Sequence, residues 1–341
     1  MTDRAAAAAP TAPAASSSAD AAAETGARSR TLLEGFGPEL AQGGVVLMWA
    51  STFIVTKAVF AELNALPYIF ARFAAMLALA FAVLGLRRAG AAWTIRRQDW
   101  GRFLAVGLCG YTVYQLAFVL GLERTSPFSS SLLVAMVPLF TVVMTSFMGE
   151  KAPRQAWLGL AIALAGAALF LWDKRGDGGG TLLGDGLSIA AAVSFAAYGV
   201  LARPLVGRYP PETYTAWSIL FGAVPLFLLS LPATIGEDWG GVSGWGWAAV
   251  VYMAIFPVYV AYQLWNWAIA RRGVTAATSF SLLVPIVSGI LSALLFGEGF
   301  GPLKLAGAAL VLAGLVVVRV GPGALFWRRG RTGPDTGEGT A

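Results

Sequence analysis

Between Gly43 and Val320 apolar stretches follow one another almost without pause, each long enough to cross a bilayer. A helix needs roughly 20 residues to span ~30 Å of hydrocarbon. This feature narrows the fold more than any motif. A backbone inside hydrocarbon meets no water and must satisfy its own N–H and C=O groups, which only helices and closed barrels achieve. Barrel strands read as alternating runs of about ten residues, and this chain has no such pattern. Ten stretches can be counted, so the sequence predicts an all-α polytopic membrane protein with ten transmembrane helices. Composition agrees, with 57% hydrophobic residues, only 12% charged and a mean hydropathy of +0.69.

The ten stretches fall into two sets of five, because the chain repeats a phrase. Tyr111, Tyr114, Gln115 and Leu116 lie in "YTVYQL", and Tyr259, Tyr262, Gln263 and Leu264 lie in "YVAYQL", 148 residues later (259 − 111). Gly149-Glu150 answers Gly297-Glu298, Gly159 answers Gly307 and Gly166 answers Gly314 at the same offset. Self-similarity of this kind signals duplication. Five spans is an odd number, so the second unit is inverted relative to the first. The expected organisation is a disordered tail over 1–40, a first five-helix repeat over 43–172, a second over 185–320 and a disordered basic tail over 322–341.

Charge sets the orientation. If the amino end is cytoplasmic, fifteen basic residues lie in inside connections or after the last span, Arg87, Arg96, Lys151, Arg203 and Arg271 among them. Only Arg124, Lys174, Arg175 and Lys304 lie outside. The positive-inside rule then places both termini in the cytoplasm. The net charge of +6 is thereby accounted for without a nucleic-acid partner. The chain has no His and one cysteine, Cys109, so neither an imidazole base, a His metal site nor an internal disulfide is available. The reading therefore includes no cofactor, no metal and no catalytic residue.

Candidate substrate-binding residues are the polar ones inside spans. Tyr111, Tyr114, Gln115 and Phe118 follow i, i+3, i+4, i+7 and form one helical stripe in span three. Tyr259, Tyr262, Gln263 and Asn266 repeat it in span eight. Paired polar aromatic stripes at the interface of inverted repeats suit a binding site near the membrane midplane. Packing helices through Tyr and Gln hydrogen bonds is the plainer account. Trp49 in span one and Tyr198 in span six join the candidate lining. Lys57 and Arg72, in the outer parts of spans one and two, are the two intramembrane cations. Each either snorkels to interface water or helps form an electropositive wall for a carboxylate or phosphate. Pro138 and Pro285 are expected to kink spans four and nine. No Asp or Glu lies well inside a span, which argues against proton coupling through a buried carboxylate.

Several runs carry a likeness to a known family. They are "WASTFIVTK" in span one, "PYIFARFAAMLALA" in span two, and "VPLFTVVMTSFMGEKAPRQAWLGLAIALAGAALFL" with its second-half partner "VPIVSGILSALLFGEGFGPLKLAGAALVLAGLVVV". In these the sequence resembles the EamA family of the drug/metabolite transporter superfamily over roughly Gly43 to Val320. The resemblance implies a ten-helix inner-membrane carrier of two inverted repeats, most often exporting amino acids, their derivatives or other small metabolites. The expected partners are a small-molecule substrate and the lipid bilayer, in an oligomeric state that the sequence leaves open. Export of drugs or other organic solutes, and a non-transporting membrane scaffold, stand as alternatives.

Overall fold

The computed structural model describes residues 18–86, 93–173, 181–272 and 280–320, with side chains from Gly37 onward apart from Asn266, Ala270, Arg272 and Val320. The sequence readings for residues 1–17 and 321–341 lie outside the described residues. Among the described residues the chain is helical, without strands. Among the described residues nine helical stretches are long and apolar enough to cross a membrane, and a tenth apolar helix, Leu283–Phe296, is shorter. Large apolar side chains such as Leu47, Leu228 and Leu294 remain exposed along the helices. That outer face suits hydrocarbon and not water.

The first half holds α1 (Ser18–Val59), α2 (Ala65–Leu86), α3 (Trp100–Gly107), α4 (Tyr114–Arg124), the pair α5 (Pro127–Val134) and α6 (Val137–Phe147), and then α7 (Arg154–Asp173). The second half holds α8 (Leu182–Val206), α9 (Pro211–Ile235), α10 (Gly244–Ile255), α11 (Ala261–Arg272), α12 (Leu283–Phe296) and α13 (Pro302–Val320). Several starts are written in the sequence as hydroxyl caps. Ser126, Thr181 and Ser243 each accept a bond from the backbone N–H three residues on. Gly149 and Gly297 close α6 and α12 in the left-handed region, at φ 89° and 66°, where a side chain would be strained.

Span four is more than kinked. A turn at Ala135 and Met136 separates α5 from α6, and Pro138 stands in the first turn of α6, where its missing N–H costs nothing. Pro285 likewise sits in the first turn of α12, just after a turn at Ser281 and Leu282. Spans three and eight stay continuous but change winding. Leu108–Val113 joins α3 to α4 as a π-helix, and Phe256–Val260 joins α10 to α11 in the same way. In each the following residue bonds five back, Tyr114 N–H to Cys109 O and Ala261 N–H to Phe256 O. The two π segments begin 148 residues apart (256 − 108), the offset of the repeated phrase.

The glycines of α7 and α13 meet face to face. A Cβ built on Gly159 would lie 2.6 Å from Gly314 O, and one on Gly166 would lie 2.8 Å from Gly307 O. Since 159 faces 314 and 166 faces 307, the helices run antiparallel where they cross, at a separation only glycine permits. One apolar core joins α1, α2, α4, α9 and α10 around Phe53, Tyr68, Phe73 and Phe118. A second lies among α5, α6, α7 and α13 around Phe128, Leu132, Phe170 and Val311. Near the start of span three, the buried Asp99 carboxylate accepts from Arg208 Nη1 and Tyr209 Oη, both at 2.6 Å, and so ties span three to the α8–α9 loop. Burial, and then the bond it donates to Asp99, raises the Tyr209 phenol's pKa and keeps it a donor.

Candidate functional site

The π segment of span three is wedged between α8 and α9. Ser194 Oγ of α8 donates to Cys109 O at 2.8 Å, and Thr112 Oγ1 donates to Gly222 O of α9 at 2.7 Å. Gly110 leaves room for an aromatic ring, because a Cβ there would lie 2.3 Å from the Tyr198 ring. Around this wedge the rings form a continuous wall. Tyr111 meets Phe73 and Tyr198 edge-on, with centroids 6.3 and 5.7 Å apart, while Phe195 lies 5.3 Å from Tyr198 and 4.8 Å from Tyr114. Such contacts add roughly 0.5–1.5 kcal/mol per pair beyond area burial, so the wall is a stiff surface.

The second repeat supplies the facing side. Trp49 Nε1 donates to Pro257 O at 3.3 Å, and its ring meets Tyr262 at 6.0 Å and Trp265 at 5.0 Å. The phenols of Tyr111, Tyr114, Tyr198 and the α9 residue Tyr214 all lie within electrostatic range of Tyr262, and Tyr259 lies within range of Tyr111. Tyr111, Tyr114 and Tyr198 are partly buried and each keeps accessible surface, and Tyr262 is 46% exposed.

The two cations have different environments. Lys57 Nζ donates to the carbonyls of Leu122, Glu123 and Thr125 at 2.9, 3.0 and 2.9 Å. Those are orphan acceptors at the C-terminal end of α4, where a cation also complements the helix dipole. These three bonds make Lys57 a cap on the end of α4. Arg72 is 4% exposed and gives one hydrogen bond, Nη1 to Gln115 Oε1 at 3.4 Å, while its Nε has no acceptor among the described residues. Gln115 is thus joined to Arg72, whereas Gln263 is exposed on α11. Asn266 lies on α11 with its side chain outside the described residues.

Two further residues, Tyr214 and Ser218, belong to this region although the paired stripes do not include them. Both are buried; the Tyr214 hydroxyl lies close to Tyr198 and Ser218, but neither it nor Ser218 Oγ makes a well-formed hydrogen bond among the described residues. A sequence signal for them exists: Tyr68 and Arg72 are the fourth and eighth residues of α2, and Tyr214 and Ser218 are the fourth and eighth of α9. Extending the repeat comparison to the second helix of each unit finds them. A buried hydroxyl without a well-formed bond carries a desolvation cost of about 1–3 kcal/mol. Tyr214→Phe should therefore leave the thermal unfolding midpoint in detergent unchanged or higher. A clear drop would mean that the hydroxyl is bonded.

Carboxylates stay at helix ends but are not all solvated. Asp185, in the first turn of α8, is 1% exposed and accepts from Thr125 Oγ1 at 2.7 Å. Position along a span does not report burial. Among the described residues no three His, Cys, Asp or Glu side chains are grouped to hold a metal ion.

Comparison with known proteins points one way. The model of the EamA-like transporter family matches residues 42–172 and again 182–320. A probable terminal-alkyne amino-acid exporter of Streptantibioticus cattleyicolor is 29% identical over 243 residues, 71% of this chain and 78% of its own. A probable amino-acid metabolite efflux pump of Escherichia coli K12 is 27% identical over 208 residues, 59% of this chain and 69% of its own. A solved crystal structure aligns with a TM-score of 0.56 at 22% identity, covering 87% of this chain and 99% of that one, a likeness of fold alone.

Proposed function

The chain belongs to the EamA-like transporter family, and from that premise we propose that it is a secondary exporter of amino acids or related small amphipathic metabolites. It moves its substrate by alternating access through the tyrosine-lined cavity and performs no chemistry on it. The observation that carries this reading is the aromatic cluster of Tyr111, Tyr114 and Tyr198, with Trp49 against Tyr262 of the second half, each of these tyrosines keeping accessible surface. A scaffold that only packs helices has no use for paired tyrosine stripes that keep open surface. Tyr and Trp offer flat apolar area with a polar tip, which suits an amphipathic solute. The outward direction rests on the relatives named as exporter and efflux pump.

Three features support two inverted repeats, over 43–172 and 185–320. The α7–α13 crossing is antiparallel and pairs Gly159 with Gly314 and Gly166 with Gly307, as a two-fold axis in the membrane plane requires. The π segments fall at equivalent positions. Spans four and nine both break just ahead of their proline. π-helical turns recur at functional sites and hinges, so these segments are the places where each repeat can flex around the substrate. The charge distribution supports cytoplasmic termini, and membership of a transporter family supports a place in the cell's inner membrane. No nucleic-acid partner follows from it.

Counterflow into proteoliposomes preloaded with unlabelled amino acids tests the function. Saturable, stereoselective entry of a labelled amino acid is the expected result. Tyr111→Ala with Tyr262→Ala should lower that flux at least ~100-fold, about 2.7 kcal/mol, while the protein still elutes as one folded species. Wild-type flux from the double variant would remove these residues from the lining.

A further inference from the structure

We propose that Arg72 and Gln115 form the carboxylate-binding end of the cavity, so that the transported solute is an organic monocarboxylate with an apolar or aromatic body. This deepens the carrier reading and rests on it. The observation is a guanidinium in the wrong company. A buried charge is normally paired, and arginine cannot relieve its burial by losing a proton. Arg72 nevertheless has no ion pair among the described residues, its single hydrogen bond to Gln115 Oε1 is long at 3.4 Å, and its Nε has no acceptor there. It sits roughly 10 Å along the axis from the start of α2, too deep to be a rim residue.

The unused donors define the ligand. Nε and the neighbouring Nη of a guanidinium form a flat fork that matches the two oxygens of a carboxylate, giving two parallel charge-assisted bonds. Gln115 holds that fork from its other side without neutralising it, since an amide oxygen brings a dipole and not a charge. Tyr114 of the aromatic wall directly precedes Gln115, so the guanidinium lies beside the surface that takes the apolar body; its Nε is sealed in this conformation, and the carboxylate reaches the fork when the carrier opens.

The charge count then selects among oxyanions. Lys57 is tied to three carbonyls at the end of α4, and Ser218 occupies in α9 the position that Arg72 holds in α2. Among the described residues one cation faces this end of the cavity, and it neutralises one negative charge. A carboxylate brings one; a phosphate monoester near neutral pH brings almost two and leaves an uncompensated charge in a low-dielectric site.

Matched competitors test this without any variant. Counterflow of labelled L-phenylalanine into phosphatidylcholine vesicles containing the full-length protein is competed with unlabelled L-phenylalanine, L-phenylalaninamide, 3-phenylpropionate or phenyl phosphate. The expected order has the two carboxylates competing, and the amide and phenyl phosphate weaker by roughly 100-fold, the scale of a lost charge-assisted bond pair. In Arg72→Gln, which removes the charge at similar reach, the preference for acid over amide should fall to near unity. Equal competition by acid and amide in the wild-type protein overturns the carboxylate assignment and leaves the carrier reading standing. Saturable flux with phenyl phosphate the best competitor overturns the monocarboxylate class. No saturable flux with any of the four removes both readings. A folded Arg72→Gln protein that keeps the wild-type acid preference also overturns the proposal, and the wild-type competition decides the question if that variant does not fold.

Discussion

Gly166→Leu is expected to abolish the folded protein. A Cβ at position 166 would lie 2.6 Å from Val311 N and 2.8 Å from Gly307 O, backbone atoms of the facing helix that cannot rotate aside. Overpacking where side chains can yield costs about 1–3 kcal/mol. Here the remedy is to move α7 away from α13, which also separates Gly159 from Gly314 and opens the second core around Phe170 and Val311. The loss should therefore be about 3 kcal/mol or more, a large part of the ~5–15 kcal/mol that holds typical domains together. Size-exclusion chromatography in detergent should show aggregate in place of a monodisperse peak. Gly186→Leu is the control, since nothing lies within 4 Å of a Cβ there. A Gly166→Leu protein that melts with the wild type would mean that the crossing is looser than the glycines indicate.

Lys57→Met should cost stability and leave substrate affinity alone. Methionine keeps most of the stem and removes the three donors that reach Leu122, Glu123 and Thr125. Each buried carbonyl left without a donor costs about 1–3 kcal/mol, and the lost cation at the α4 terminus adds ~0.3–1 kcal/mol. Part of this is recovered by water at the helix end, so a net loss of roughly 3 kcal/mol is expected, read as a fall in the unfolding midpoint. KM in the folded fraction should stay within about twofold, because a structural cap makes no contact with ground state or transition state. Lys57→Arg should restore most of the midpoint. A raised KM with unchanged stability would instead return Lys57 to the binding site.

Glycine and lysine differ in how much a one-dimensional reading can see of them. Gly159, Gly166, Gly307 and Gly314 are legible as packing positions, because small residues seven apart on an apolar helix have few other uses. Lys57 and Arg72 look alike in sequence, both cations in the outer part of a span, with the same two readings open to each. Only the fold separates them. The end of α4 comes within reach of Lys57, whereas Arg72 finds a neutral amide.

The stripes in spans three and eight are equally legible, and their placement is not. The i, i+3, i+4, i+7 spacing assumes regular α-helix, but both stripes run through a π segment, which adds a residue to the turn and rotates the helix beyond it. Gln115 is buried against Arg72 while Gln263 is exposed, although the two hold the same place in the same phrase. Tyr214 and Ser218 escape a comparison that follows the repeat through its third, fourth and fifth helices but not its second.

By itself the sequence determined that the chain crosses a membrane many times as helices and that its two halves repeat. Hydrocarbon forces backbone satisfaction within each segment, which is a local requirement that a linear pattern can express. The tertiary structure decided which polar side chains are satisfied and which are left open. Partnership at a buried atom depends on groups far away along the chain, as with Arg72 and Gln115, 43 residues apart, or Trp49 and Pro257, 208 residues apart. No periodicity in the sequence encodes those distances.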